Sequence, residues 1–82
     1  MYEGLKEGKK VIGAKQVIKA VEKGLAVRVY IAQDADKRIT EPLVLLCQGK
    51  NIPVEQAASM SELGKSCAIE VGAAAVAVLK ES

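Results

Sequence analysis

The sequence predicts an α/β fold, a single sheet with helices on both faces, and three observations predict it. Segments with helical spacing of apolar residues alternate with strand-like runs, in the order helix, strand, helix, strand, helix, strand, helix, strand, and such alternation packs helices against a sheet. Glycines stand where the helical segments should stop, at Gly24 and Gly49. The chain is 82 residues long and half apolar, enough for one domain spanning residues 1–82 with a small core. Connections through helices favour parallel strand pairs, and a mixed sheet stays open.

The elements follow in order. Met1–Lys9 reads as a short, weak helix interrupted by Gly4 and Gly8, and Val11-Ile12 as a brief strand before Gly13. From Ala14, apolar residues fall at Ala14, Val17, Ile18 and Val21, one face of a helix that Gly24 ends as its C′ residue. Val27-Arg28-Val29-Tyr30-Ile31-Ala32 is a β-rich run, and Asp34-Ala35-Asp36 is a turn. Thr40-Glu41-Pro42 reads as the start of a helix, with Thr40 as cap, Leu43 to Cys47 as its apolar body and Gly49 at its end. Ile52-Pro53-Val54 is a short strand, placed at a sheet edge because proline cannot donate to a ladder. Ser59-Met60-Ser61-Glu62 fits a capping box, with Leu63-Gly64-Lys65 within or near the end of its helix. Ala73 to Leu79 reads as a buried strand, and its alanines make a helix the competing assignment.

Composition excludes several kinds of function. Tyr2 and Tyr30 are the only aromatic residues, which argues against a base-stacking platform. Without histidine there is no His-based triad, no His metal site and no ordinary general base. Cys47 and Cys67 lie twenty positions apart with no C-x-x-C spacing, and read as small buried hydrophobes rather than a metal or redox site. No metal or cofactor is expected. The N-terminal ten residues lack the apolar stretch of a signal peptide, and no apolar run is long enough to span a bilayer, so a cytoplasmic setting without membrane partners is expected.

The net charge of +2 is unevenly spread: residues 1–23 carry +3, residues 24–58 are neutral and residues 59–82 carry −1. A local basic face suits a phosphate-bearing partner, and a solvated Lys-rich helix face gives the same pattern. The basic residues have a place. Gly13-Ala14-Lys15-Gln16 opens a helix, whose first N–H groups are unpaired and whose N-terminus is partly positive. Lys15, Lys19 and Lys23 recur every four residues opposite Val17 and Val21, which adds a cationic stripe to an anion-binding tip. Gln16 offers both a donor and an acceptor, suited to a base edge. A second segment, Ala68-Ile69-Glu70-Val71-Gly72, sets Ile and Val around one Glu before the last strand. An exposed contact loop and a strand with Ile69 and Val71 turned inward account for it equally well.

The stretch from Gly13 to Val21, with Leu63-Gly64-Lys65 and Ile69-Glu70-Val71-Gly72-Ala73-Ala74, resembles ribosomal proteins of the L7Ae and L30e type, which bind kink-turn RNA. The resemblance runs from about Lys10 to Leu79. It takes in the Val27–Ala32 strand followed by Asp34, and the Gly49-Lys50-Asn51-Ile52-Pro53 approach to the next strand. It implies a three-layer α/β/α sandwich with a mixed four-stranded sheet. It also implies that a helix N-terminus enters the groove of the kink at tandem sheared G·A pairs, while the loop before the last strand packs on an extruded nucleotide. By position, Gly13, Lys15, Gln16 and Lys19 match the helix-start motif, Lys23 a basic position at the end of that helix, and Ile69, Glu70, Val71 and Gly72 the RNA-facing loop. Archaeal and eukaryotic members usually carry Asn-Glu where this chain has Lys15-Gln16, and the Lys-Gln pair looks like the small bacterial branch. Gln16 then replaces charge-assisted contacts to guanine with amide–base hydrogen bonds.

The expected function is therefore non-enzymatic recognition of kink-turn RNA, ribosomal RNA among the candidate targets, by a monomer. The alternative is a ribosome-associated assembly or protein-interaction module without RNA selectivity of its own. An enzyme is disfavoured because no nucleophile–base pair is visible, and Glu3, Glu7, Asp34 and Asp36 look like surface carboxylates.

Overall fold

The computed structural model describes residues 9–67 and 72–80. The expected helix over Met1–Lys9 therefore lies outside the described residues up to residue 8. The elements are β1 (Lys10–Ile12), α1 (Ala14–Glu22), β2 (Ala26–Ala32), α2 (Lys37–Gly49), β3 (Val54–Ala57), α3 (Met60–Ser66) and β4 (Ala75–Leu79). The strands form one mixed four-stranded sheet in the order β1-β4-β2-β3. β4 runs antiparallel to both neighbours, with Ile12 opposite Val76 and Ile31 opposite Ala75. β2 and β3 are parallel, with Ala32 opposite Ala57.

Parallel pairing is thus confined to one of the three ladders, and the last connection shows why. α3 has only seven residues, and the Ala73 N–H donates to the Met60 carbonyl at 3.1 Å. The chain is therefore back at the start of α3 before β4 begins. β4 starts at the end of the sheet where β3 finished, and so runs antiparallel to β2.

Two-residue alternation sorts β2 between two cores. Val29 and Ile31 join Val17, Val21, Leu43, Cys47, Ala75 and Ala77 beneath α1 and α2. Tyr30 and Ala32 join Ala57, Leu63, Cys67 and Val76 beneath α3. Alanine at positions 75 and 77, both fully buried, lets α1 pack closely on the central strand β4. The strand begins at Ala75, later than expected, and the helix alternative for Ala73–Ala77 loses because Ala75, Val76 and Ala77 lie in β4, buried between helices on both faces.

α1 matches its expected span, and its end is a Schellman turn. Gly24 has φ 72°, its N–H bonds the Val21 carbonyl, and the Leu25 N–H bonds the Ala20 carbonyl. α2 ends at Gly49 as expected and differs from expectation at its start. It begins at Lys37, because Asp36 is the cap: its Oδ1 accepts from the Arg38 N–H at 2.9 Å. Thr40 is buried and Pro42 sits inside the helix, exposed, where it denies the Arg38 carbonyl its usual partner. Gly49 is the last helical residue, and the turn that closes the helix follows it. The left-handed residue is Asn51, φ 58°, with the Ile52 N–H donating to the Cys47 carbonyl at 2.9 Å. β3 is an edge strand as expected but lies later than Ile52-Pro53-Val54. Pro53 stands just before it, its carbonyl accepting from the Val29 N–H at 3.0 Å.

Candidate functional site

β1, β2 and β3 all finish at one end of the sheet, and each is followed by a helix, so three helix N-termini collect at that end. Every helix start exposes N–H groups with no intrahelical acceptor and a partial positive charge. Two of the three are answered by side chains. Asp36 caps α2, and its carboxyl is held below the usual carboxylate range by the Arg38 guanidinium and backbone N–H beside it. At α3, Ser59 Oγ accepts from the Glu62 N–H at 3.0 Å, and Asp34 Oδ1 accepts from the Met60 N–H at 2.7 Å.

α1 is different. Its N-cap is Gly13, its first turn holds no acidic residue, and among the described residues no side chain caps it. The Gly13 N–H donates to the Ala75 carbonyl at 2.9 Å, which pins the tip to the start of β4. Gly13 has φ 102° and ψ 142°, a region essentially reserved for glycine. A Cβ there would meet nothing within 4 Å, so backbone torsion and not crowding demands glycine.

Lys15 and Gln16 are exposed on the first turn of α1, and Lys19 is exposed one turn on. The structure therefore gathers Gly13, Lys15, Gln16 and Lys19 at this end. Lys23 is the C-cap of α1, roughly 13 Å along the axis from Ala14 at the usual helical rise.

Gly72 belongs to the same end. The next residues bond to its neighbours, Ala73 N–H to the Met60 carbonyl and Ala74 carbonyl from the Ala32 N–H at 3.0 Å. A Cβ on Gly72 would stand 3.1 Å from Met60 Cβ and 3.2 Å from its carbonyl carbon, so this glycine is needed for close approach. Ile69, Glu70 and Val71 lie outside the described residues.

The start of α2 completes the surface. A groove of about 490 Å³ runs beside the α1 tip, lined by Gly13, Lys15 and Gln16 on one side and Arg38, Ile39 and Pro42 on the other. The Arg38 side chain is 90% exposed and lies 3.1 Å from Asp36 Oδ2, and Ile39 is 45% exposed. Sequence reasoning missed these residues because it started α2 at Thr40 and assigned Lys37, Arg38 and Ile39 to no element. Reading Asp36 as the cap would have put Arg38 and Ile39 on the first turn of the helix.

Electrostatically the arrangement suits an anion, with open N–H groups and ammonium groups on one convex tip. Among the described residues no three potential ligands gather for a metal, and burial pushes both the Cys47 and Cys67 thiols up, away from reactive thiolate. No helix of the described chain is long and apolar enough to cross a membrane.

The chain is 49% identical over 76 residues to the RNA-binding protein YbxF of Geobacillus stearothermophilus, covering 93% of both chains. It is 47% identical over 76 residues to a protein of Geobacillus thermodenitrificans named an RNA-binding protein, again covering 93% of both. The solved structure of the 15.5kD RNA binding protein of Giardia lamblia superposes with a TM-score of 0.83 at 32% identity. That match covers 89% of this chain, which spans 62% of the Giardia protein's length. The profile of one family matches residues 3–82, and the chain belongs to it: the ribosomal protein L7Ae/L30e/S12e/Gadd45 family.

Proposed function

We propose that the protein binds RNA, and specifically that it recognises and stabilises kink-turn RNA as a monomeric, non-catalytic module of the cytoplasm. The observation that carries this reading is the open N-terminus of α1, uncapped where α2 and α3 are capped, with Lys15 and Lys19 exposed behind it. The relatives named RNA-binding proteins support it.

The tip supplies backbone N–H donors and ammonium groups to phosphate oxygens, and Gln16 reads a base edge at the sheared G·A pairs. Lys23, at the far end of α1, stands apart from this tip. Gly72 and the preceding Ile69, Glu70 and Val71 are the segment that meets an extruded nucleotide in this reading, and Arg38 and Ile39 add the far wall of the groove. Ordinary A-form RNA has a major groove too narrow for a helix tip, which selects a bent element. Stabilisation follows from preferential binding: the kinked state is bound better than the extended one, and its population rises.

A calorimetric titration with a kink-turn RNA, set against the same RNA lacking its G·A pairs, tests this directly. The expected result is a loss of at least about 1–3 kcal/mol per base contact removed. Near-equal affinities would favour the assembly module without RNA selectivity.

A further inference from the structure

The opposite end of the molecule is also cationic. α1 and α2 finish there in Schellman turns, β2 begins there and β4 ends there. Lys23 is the C-cap of α1, Lys50 the C-cap of α2, and Lys80 follows β4 with its N–H donating to the Leu25 carbonyl at 2.8 Å. Lys50 and Lys80 line one groove of about 330 Å³ with Gly24, Val27, Asn51 and Pro53, and Lys23 adjoins it through Gly24. All three lysines are exposed, and among the described residues no carboxylate lines the groove. The ion pairs Arg28–Glu55 and Arg38–Asp36 involve none of these three ammonium groups. Glu22, beside Lys23 in sequence, is exposed and lines no part of the groove.

A lysine at a helix C-terminus is locally favoured by the helix dipole. That accounts for Lys23 and Lys50, but not for Lys80 at the end of a strand. Three separate elements bring their lysines to one rim. We propose that this rim is a second RNA surface, which holds the phosphate backbone of a duplex while the α1 tip grips another element, so that the protein bridges two RNA helices. The partner class rests on the RNA-binding reading above. Lysine is a compact point charge that meets phosphates without reading bases, and among the described residues the rim has no aromatic platform for unpaired bases. Its shallow groove, with Val27, Ile52 and Pro53 as its apolar wall, has no deep pocket to seat the anchor of a peptide.

The test is fluorescence anisotropy with a blunt RNA duplex that contains no kink. The full chain and its Lys15→Ala/Lys19→Ala variant both bind it. Adding Lys50→Glu or Lys80→Glu weakens binding at least about fivefold, and the pair lowers the salt slope by about two phosphate contacts. Lys65→Glu, an equal charge change on exposed α3, stays within about twofold of the parent. Circular dichroism checks that each variant is folded. The Lys50→Glu/Lys80→Glu protein keeps its affinity for kink-turn RNA, and protein saturated with kink-turn RNA still takes up the labelled duplex. The proposal is overturned if Lys65→Glu does as much harm, if the duplex is not bound, or if kink-turn RNA competes it away. Loss of duplex binding through Lys50 and Lys80 in a protein that ignores the G·A pairs would instead sink the kink-turn reading and leave the second surface standing.

Discussion

At the residue scale, two glycines shape the same end of the molecule for different reasons. Gly13 is required by torsion and Gly72 by contact with Met60. Gly13→Ala therefore meets open space but a disfavoured backbone, and should destabilise the fold by about 1–3 kcal/mol, read by urea denaturation. A stability unchanged within error would mean that the tip relaxes to negative φ without cost. Lys19 contributes charge alone, since it is exposed and makes no ion pair among the described residues. Lys19→Ala should weaken RNA binding and lower the salt slope by about 0.7–0.9, one phosphate contact, with no change in melting temperature. An unchanged slope removes Lys19 from the interface.

At the element scale, α2 shows how helix ends are decided. Its start is set by Asp36, whose carboxylate accepts from the first turn and pairs with Arg38, although Thr40-Glu41-Pro42 has better-looking start residues. Its end is set by Asn51, which takes the left-handed position two residues after Gly49. Asn51→Ala should cost about 1–2 kcal/mol because alanine pays the full steric penalty there, whereas Asn51→Gly should be neutral or stabilising. Equal effects of the two changes in thermal melts would count against the Schellman turn. The same turn positions Lys50 on the far rim, so the local backbone requirement and the proposed second surface meet in one loop.

At the scale of the whole molecule, the mixed sheet puts three helix N-termini at one end and two helix C-termini with β4's exit at the other. The layers between are thin in apolar mass, with no Phe or Trp, so single large aliphatics carry much of the core. Leu43 is fully buried between α2 and the sheet. Leu43→Ala should cost about 2–5 kcal/mol, and each kcal/mol lowers the melting temperature of a domain this size by roughly 4–8 °C. A loss below about 1 kcal/mol would show that α2 is not held to the sheet through this side chain.

Local signals in the chain determined a good deal: the alternating elements from β1 to β4, the bounds of α1, the end of β2, the Ser59 cap, the edge position of β3 and the grouping of Gly13, Lys15, Gln16 and Lys19 on one helix start. Periodicity and caps depend on residues within a turn or two of each other, so they are legible in one dimension. The antiparallel course of β4 was not, because it depends on Ala73 meeting Met60 across the α3 connection. Nor was the neighbourhood of the α1 tip, where Arg38 and Ile39 arrive from a different helix, or the separation of Lys23 from Lys15 to opposite ends of the molecule. Those facts are distances between segments far apart in sequence, and only packing against the shared sheet sets them.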